Sequence, residues 1–452
     1  MRSSWSSRYL REIISRYQLV GLVRFGRHSL CIRRTGMNRF HGLQGISMRI
    51  SLLTLLLVVG FLVGPLTSLP AEQASTVRDK RQPRTIHVPA DHGRIQQAID
   101  AANDGDTVLV APGVYRESLQ LKGKQITLAS RFLMTADKKD VERTVLDGKA
   151  TGEEKNSRGN TLIRVAGDVG PKTRIIGFTI KNGDDGISCA AKIEIAHNRF
   201  INNGDAIDYE GGGGLCRHNL FEKNRDDAVD LDGAAEATIE DNLILNSGDD
   251  GIEIRLHKYS GKLLNIVIRR NQIIGSGEDG IQIIDYPDKS DRVIRIERNV
   301  IAKTKMAALG CMANGNTGEN YEAADIPERI EFFHNTLVDN QYGITGGDFL
   351  LAFNNVIVGT EKIAFKEVDG NSLLAFNLLW DNEIDQQGSN LEKGSTILKN
   401  PQLTKDYHLP KGSPCVDAGS SLYKRGETVL LEIPRSAWRG RAPDLGAFER
   451  IP

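Results

Sequence analysis

An asparagine recurs along the middle of this chain, each time followed after one residue by an apolar side chain. The intervals between successive copies are 21, 23, 29, 28, 36, 20 and 22 residues. Short intervals that are nearly constant, with occasional insertions, are typical of a solenoid whose coils stack on one another. The series consists of Asn198, Asn219, Asn242, Asn271, Asn299, Asn335, Asn355 and Asn377.

Asparagine suits a repeated corner of such a coil for two reasons. It tolerates the left-handed backbone geometry of a tight turn, and amides stacked at the inter-strand spacing of ~4.8 Å can hydrogen-bond along the stack. We therefore expect these residues to hold the coils together. The longest interval requires an insertion, placed at 310–326, which we expect to project as a loop that could wall a groove.

A second repeated phrase contains acidic residues. It reads Gly248-Asp249-Asp250-Gly251-Ile252 in its fullest form. Copies occur at 183–187, 204–208, 226–230 and 277–281. Because equivalent residues of stacked coils lie above one another, Asp185, Asp205, Asp227, Asp250 and Asp279 are predicted to form one file. Three residues further on, Asp208, Asp230 and Glu253 are predicted to form a second file, and Glu210, Asp232 and Arg255 a third.

The chain before and after these repeats has a different character. Ile95, Ala98, Ile99 and Ala102 have helical spacing, which predicts an amphipathic helix that caps the first coil. Gly and Pro become frequent after residue 386, which predicts an irregular tail capping the last coil. We divide the chain into a leader (1–71), a linker (72–83), a β-helix (84–382) and a capping tail (383–452).

The leader is basic, and the rest of the chain is acidic. Residues 1–71 carry ten Arg and one Glu, so removing them from 58 basic and 58 acidic side chains leaves an excess of nine acids. That balance argues against a nucleic-acid partner. An apolar run from Ile50 to Val63 follows Arg49 and precedes small residues, as in a secretory signal peptide.

We therefore expect export to the periplasm or the extracellular space, with translation beginning at Met37 or Met48. The run is short for a membrane span, which needs ~20 residues, so no stable span should remain after cleavage; an uncleaved anchor is the alternative. Four cysteines follow the leader at irregular spacings (Cys189, Cys216, Cys311 and Cys415). We expect them to be small buried apolar residues rather than disulfide or zinc partners.

Both ends of the mature chain resemble those of exported bacterial β-helix repeat proteins. The segments 95–99 and 105–115 are similar to the opening of that group, and 413–419 and 444–449 to its ending. Over roughly residues 84–452 the chain resembles the pectin-lyase-like superfamily. The resemblance implies an all-β fold, a single-stranded right-handed parallel β-helix (solenoid), and one fold of this kind serves many reactions.

The acidic files allow three interpretations. Asp before Gly or Ala is common in turns, where its carboxylate accepts backbone N–H groups. Carboxylates crowded on adjacent coils also suit calcium, a hard cation that takes six to eight oxygen ligands. The predicted calcium ligands are Asp227, Asp230, Asp249, Asp250 and Glu253. Third, a carboxylate pair serves acid–base catalysis on a glycan.

The resemblance to polygalacturonase-like hydrolases on this fold is incomplete. Gly248-Asp249-Asp250 matches one motif of that family, and Asp227 is placed like the Asp of another. The Gly-His-Gly and Arg-Ile-Lys motifs are missing, so hydrolysis of that type is disfavoured. A lyase needs a base near the sugar C5, usually Lys or Arg on this fold; Arg255 is the candidate, and an ion pair with Asp232 or Glu253 is its alternative role.

The preferred hypothesis is a monomeric β-helix protein that acts on or binds acidic polysaccharide at residues 205–285, possibly as a polysaccharide lyase. Its candidate catalytic residues are Asp227, Asp250, Arg255 and His257, and its candidate substrate-binding residues are Asp205, Asp208, Asp279 and Lys258. A non-catalytic protein that binds glycan or another protein is the alternative. A metal-handling β-helix is a third class, but the chain has no Met/His/Cys cluster to support it.

Overall fold

A computed structural model describes residues 81–149, 160–288, 290–313, 315, 321 and 324–450. The leader, most of the linker and part of the predicted insertion lie outside these residues. The described chain forms three long parallel sheets, which we call the A, B and C sheets in the order in which each coil visits them. No helix in the described part is long and apolar enough to span a membrane.

The A sheet has 12 strands and the B and C sheets have 11 each. The A strands are Thr85–Val88, Thr107–Val110, Thr127–Ser130, Arg174–Ile176, Lys192–Ala196, Gly213–Arg217, Glu236–Glu240, Tyr259–Arg269, Ser290–Glu297, Arg329–Phe333, Leu350–Phe353 and Leu373–Ala375. The B strands are Gly113–Tyr115, Thr144–Asp147, Thr179–Lys181, Arg199–Ile201, Leu220–Glu222, Leu243–Leu245, Gln272–Ile274, Val300–Ala302, Thr336–Val338, Val356–Val358 and Leu378–Trp380. The C strands are Leu119–Leu121, Ile163–Val165, Ile187–Cys189, Ile207–Glu210, Val229–Asp232, Ile252–Leu256, Ile281–Asp285, Ala307–Met312, Tyr342–Thr345, Ile363–Lys366 and Ile384–Gln387.

Every strand pairs with the equivalent strand of the next coil, so the predicted all-β solenoid is confirmed. Apolar side chains alternate inward along the strands and form one continuous core, in which Phe200 stacks on Phe221 with ring centroids 4.9 Å apart. The last C strand, Ile384–Gln387, lies beyond the expected end of the coils at 382. Its sequence is too polar to be predicted as a strand, yet Ile384 pairs with Ile363.

The predicted amphipathic helix is Ile95–Ala101, with Ile95, Ala98 and Ile99 buried against the first coils. Two further helices, Phe132–Thr135 and Lys138–Arg143, and a 3-10 turn, Arg435–Ala437, complete the helical content of the described residues. In the tail, Leu391 and Ile397 bridge to the last A and B strands. The rest of the tail, including an antiparallel hairpin of Leu422–Arg425 and Thr428–Glu432, packs on the outer walls of the final coils.

The asparagine series forms a continuous ladder in the interior. Each side-chain oxygen accepts the backbone N–H of the preceding Asn in the series, at 2.8 to 3.0 Å. The left-handed residue of the corner, however, is the one before each Asn, as at His197, Arg270 and Phe376. Asn is therefore selected for its amide and not for its backbone tolerance.

All four cysteines after the leader are free and buried, as predicted. The predicted insertion is in part wrong, because Gly310 belongs to the strand Ala307–Met312. Tyr321 and Ile326 are buried rather than projecting. Residues 314, 316–320, 322 and 323 of that segment lie outside the described residues.

Candidate functional site

The outward side of the C sheet carries the acidic files, because alternate strand residues face away from the core. In the strand Val229–Asp232, Val229 and Leu231 face inward and Asp230 and Asp232 face outward. The register pairs Asp208 with Asp230 and Asp230 with Glu253. Ser188 and Gln282 extend the same file at its two ends. The second predicted file is therefore present as expected.

The first predicted file forms a hydrogen-bonded ladder between coils. Asp205 accepts the backbone N–H of Asp227 at 3.1 Å, and Asp227 accepts that of Asp250 at 2.8 Å. Asp250 in turn accepts the N–H of Asp279 at 2.6 Å, and Asp279 that of Ala307 at 2.6 Å. The carboxylates thus bridge coils instead of closing their own turns. Asp250 and Asp279 therefore stabilise the contact between neighbouring coils.

The crowded part of this face is narrower than the sequence suggested. We call the group Asp205, Asp208, Asp226, Asp227, Asp230, Asp232 and Glu253 the acid patch. Within it, Asp227, Asp230 and Glu253 form an inner trio, each at most 6% exposed, whose ligand oxygens lie within 4.8 Å of one another. The trio carries three of the five predicted calcium ligands. Asp249 and Asp250 belong neither to this trio nor to any other close group of carboxylates among the described residues.

Two further groups of carboxylates share residues with the trio. Asp208, Asp230 and Asp232 form one, and Asp205, Asp226 and Asp227 form the other, with the same spacing limit of 4.8 Å. Asp230 belongs to the trio and to the first of these groups. Its Oδ1 atom is buried and has no hydrogen-bond partner among the described residues. Asp230 is therefore the centre of the patch.

Burial and mutual repulsion raise the pKa values of these acids. Burial is the larger cause throughout, and nearby carboxylates add to it. The pKa is raised to about 7 at Asp205, about 8 at Asp208 and about 9 at Asp230. Those of Asp227, Asp250 and Glu253 are also raised. Without a positive partner, the patch retains protons near neutral pH.

Arg255 supplies a guanidinium at the edge of the patch. Its Nη2 lies 2.7 Å from Oε2 of Glu253, and its Nη1 lies 3.9 Å from Oδ2 of Asp232. The alternative role foreseen for Arg255, an ion pair with these two acids, is therefore what the structure shows. Neighbouring carboxylates raise its pKa further, against the opposing effect of burial. A guanidinium held in this way is a poor proton acceptor.

His257 and Lys258 occupy different surroundings. Nδ1 of His257 accepts the backbone N–H of Gly233 at 3.1 Å, and the imidazole packs on Tyr286 with centroids 4.5 Å apart. The neutral ring then carries its proton on Nε2 and is a hydrogen-bond donor there. Lys258 pairs with Asp288 at 3.0 Å and is largely exposed. It is not part of the acid patch.

Sequence reasoning missed two residues of this face as site candidates. Asp226, a member of the acid patch, lies against Asp249 of the next coil, and after burial this neighbouring carboxylate is the next cause that raises the pKa of Asp226. The alignment of repeated phrases would have found this pair, because each is the first Asp of a doublet. Tyr286 lies one coil beyond His257. Leu256 pairs with Asp285 at the ends of two C strands, so the rings that follow them meet, and the alignment of the repeated phrases puts the two residues at equivalent positions.

Comparisons with known proteins bear on the fold. Residues 177–358 match the family model described as right handed beta helix region. No curated protein sequence matches the chain. Among solved structures, the catalytic unit of a thermostable GH87 alpha-1,3-glucanase from Streptomyces thermodiastaticus is 15% identical with a TM-score of 0.42. The match covers 68% of this chain and 64% of the glucanase unit.

Two other solved structures show similar levels of likeness. Pectate lyase Pel9A is 14% identical with a TM-score of 0.40, over 82% of this chain and 97% of the lyase. A family 28 exopolygalacturonase from Yersinia enterocolitica is 14% identical with a TM-score of 0.38, over 70% and 78% of the two chains. These scores assign no activity to this chain. Its three parallel sheets and its inter-coil register give the chain the fold of a right-handed parallel β-helix, and the family model matches residues 177–358 of that fold.

Proposed function

We propose that this protein acts on an acidic polysaccharide at the outer face of the C sheet, with calcium held by the acid patch. The observation that carries the proposal is the inner trio of Asp227, Asp230 and Glu253, three buried carboxylates within 4.8 Å of one another. Ionised carboxylates at that spacing repel strongly when they are partly dehydrated. A divalent cation offsets the repulsion.

The donor set fits calcium better than a softer metal. All members of the patch offer oxygen ligands, which calcium prefers, and no His or Cys belongs to the three groups. The Oδ1 atom of Asp230 supplies the second observation, because a buried oxygen without a hydrogen-bond partner is costly unless it has a ligand. Asp208 and Asp232 would complete the oxygen set on the solvent side.

The reaction class that we propose is β-elimination on a uronate. When bound, calcium would neutralise the uronate carboxylate and so make the adjacent C5 proton easier to remove. On the protein side, the Arg255 guanidinium holds Glu253 in place. In the elimination the C5 proton passes to the carboxylate of Asp232, whose Oδ1 has no hydrogen-bond partner among the described residues, and the C5 electrons form the C4–C5 double bond. The C4–O bond breaks as His257 donates its Nε2 proton to the leaving sugar oxygen.

A screen of uronic-acid polysaccharides for the 4,5-unsaturated product, with calcium and with chelator, tests the proposal. We expect product only with calcium, and none from Asp230→Asn. Asp288→Asn, an exposed acid outside the patch, is the matched control and should remain active. The proposal fails if no polysaccharide yields product or is retained, and if chelator leaves the melting temperature unchanged.

A second candidate function, glycan binding without catalysis, is favoured by the pairing of Arg255. This pairing removes the side chain that the lyase hypothesis needed as a base. Retardation on gels that contain uronate polysaccharide, without product formation, would establish this function. If the retardation disappears in chelator, the result would still support a calcium site that takes part in glycan binding.

We also propose that the mature protein is exported and monomeric. The support is the signal-peptide pattern between Arg49 and Ala71. N-terminal sequencing of protein recovered from the cell envelope or medium should begin after that pattern. Recovery of a chain that starts within residues 1–36 would contradict it, and light scattering would test the monomer.

A further inference from the structure

Arg164 lies on the same outward file as the acid patch. It is the middle residue of the strand Ile163–Val165, whose other two side chains are buried in the core. The register pairs Arg164 with Ser188, and Ser188 with Asp208. Arg164 is thus three coils before Asp230, on the side toward the N-terminus.

Two hydroxyl groups fix the direction of its guanidinium. Nη1 donates to Oγ of Ser188 at 3.2 Å, and Nη2 donates to Oγ1 of Thr161 at 2.8 Å. Thr161 itself donates to Asp185 at 2.7 Å, which fixes the hydroxyl as an acceptor for Arg164. The bond to Ser188 directs the guanidinium toward the patch, and three inter-strand spacings put the strand of Arg164 roughly 14 Å from that of Asp230.

The two arginines of the described C strands differ in their partners. Arg255 has carboxylates at 2.7 and 3.9 Å. Among the described residues, no carboxylate lies within ion-pair distance of Arg164, and its hydrogen bonds go to neutral hydroxyls. Its positive charge and its remaining N–H donors are therefore available to a ligand on this face.

The opposite end of the file is covered. Beyond Glu253 and Gln282, the next outward position of the file is Gly310, where an added Cβ would lie 3.0 Å from the ring of Tyr321. The next outward residues, Ile284 and Met312, are buried in a cluster with Tyr321. A glycan held at the acid patch therefore extends along the file toward Ser188 and Arg164, where the half-exposed guanidinium meets it.

Resting on the proposed function, we infer that Arg164 forms a cationic subsite for an anionic substituent of the same glycan. The group bound is a uronate carboxylate or a sulfate ester, both of which a guanidinium can hold through paired N–H donors. Since the subsite and the calcium site are separated along the file, one sugar unit does not occupy both. The subsite contributes to affinity only for oligosaccharides long enough to reach from one to the other.

Binding of matched ligands by Arg164→Gln tests the inference. The ligands are a monomeric uronate, a long oligouronate, its sulfated neutral counterpart and its uncharged counterpart, each measured calorimetrically with calcium. We expect Arg164→Gln to weaken binding of the long oligouronate by about tenfold, the effect of one charge-assisted hydrogen-bonded contact. Monomer binding and calcium affinity should not change.

Two further variants separate the subsite from general effects. Arg174→Gln is the matched control, because Arg174 also bonds a hydroxyl, that of Thr127, but lies on the A sheet. It should bind like the wild type, and Arg164→Lys should recover part of the affinity. An equal effect on the sulfated ligand identifies a general anion subsite, and an effect on the oligouronate alone identifies a carboxylate subsite.

The contrary outcomes are distinct. If Arg164→Gln binds the long oligouronate as tightly as the wild type, the subsite is wrong and the proposed function stands. If it weakens the uncharged ligand equally, the role of Arg164 is structural and the subsite is again wrong. If the wild-type protein binds calcium but none of the charged ligands, both the subsite and the proposed function are wrong.

Discussion

At the scale of single residues, Asp230 has the most unusual environment on the C face. It belongs to two groups of close carboxylates, and its pKa is raised to about 9 by burial first and by Glu253 and Asp232 next. Such an acid is expensive to ionise without a cation. Its replacement by a neutral isostere therefore has opposite effects on the cation-free and calcium-bound proteins.

We expect Asp230→Asn to raise the melting temperature of the cation-free protein at pH 9, where the wild-type carboxyl begins to ionise. The same variant should weaken the binding of calcium by at least about tenfold, because the substitution removes one of the carboxylate ligands. Thermal melts with chelator and with a calcium titration measure both effects. Asp288→Asn should show neither, and a lower melting temperature for Asp230→Asn in chelator would contradict the assignment.

Arg255 has a testable role as a counter-charge. Arg255→Gln leaves Glu253 without its guanidinium at 2.7 Å. We expect the free energy of unfolding of the cation-free protein at pH 8 to fall by about 1–3 kcal/mol, less than for a fully buried pair because Arg255 is partly exposed. Added calcium should restore much of the loss. Urea unfolding with and without calcium measures it.

The opposite pattern would favour the original lyase-base hypothesis. In that case Arg255→Gln would abolish product formation while leaving the unfolding curve unchanged. Arg255→Lys separates the two further, because a lysine keeps the charge and is more easily deprotonated than an arginine.

At the scale of elements, the asparagine ladder joins neighbouring coils through buried amides. Asn271 accepts the backbone N–H and side-chain amide of Asn242 and donates to the carbonyl of Ile239. Asn271→Ala leaves these buried groups unsatisfied, which costs about 1–3 kcal/mol for each group. We expect a loss of several kcal/mol in the free energy of unfolding, measured by denaturant titration.

Asn371→Ala is the control for the ladder, because Asn371 is exposed at a turn. Its effect should stay within about 0.5 kcal/mol, as is usual for surface positions. Equal losses in the free energy of unfolding for the two variants would show that a ladder amide contributes no more to stability than a surface amide.

The sequence predicted the elements well because the repeat forces equivalent residues into register. The eight ladder asparagines, the outward file of Asp208, Asp230 and Glu253, and the helix Ile95–Ala101 are all as expected. The insertion was misplaced because Gly310 reads as loop sequence. Its glycine instead makes room for Asp279 and Tyr321, which approach where a Cβ would stand.

The different contacts of the two aspartates in the acidic phrase could not all be predicted from a single sequence. Asp249 and Asp250 are adjacent in the turn after Gly248. The alignment places Asp249 beside Asp226, but only the fold shows that Asp250 accepts a backbone N–H from the next coil. The contact of His257 with Tyr286, in contrast, follows from the repeat, because Leu256 pairs with Asp285 and the residue after each lies beside its counterpart.

At the scale of the whole molecule, the acid patch links stability to pH. Folding raises the pKa values of Asp205, Asp208 and Asp230 to about 7, 8 and 9, from ~3.9 in the unfolded chain. Between these limits the folded state binds more protons than the unfolded state, so the free energy of unfolding falls as the pH rises. We expect the cation-free protein to lose stability progressively from about pH 5 to pH 9.

Calcium should reverse this trend. Since the cation binds deprotonated carboxylates, its stabilising effect should grow with pH and should be accompanied by proton release. Melting temperatures across this pH range, with chelator and with calcium, measure the difference directly. A cation-free protein that becomes more stable as the pH rises would contradict the assignment of raised pKa values to the patch.

The asparagine and aspartate ladders also limit how the binding surface of such a protein can change when coils are gained or lost. Asn198 bonds Asn219, and Asp205 bonds the N–H of Asp227, each one coil away. Except at the ends of the ladders, where Asp279 accepts the N–H of Ala307 and Asn198 that of Phe178, each bond joins equivalent residues of the same type. An interior coil can therefore be gained or lost without leaving a bond unmade. Removing the coil that carries Ser188 would bring Arg164 one step of about 4.8 Å closer to Asp230. The distance between two binding groups on the C sheet therefore changes only by whole multiples of the inter-strand spacing.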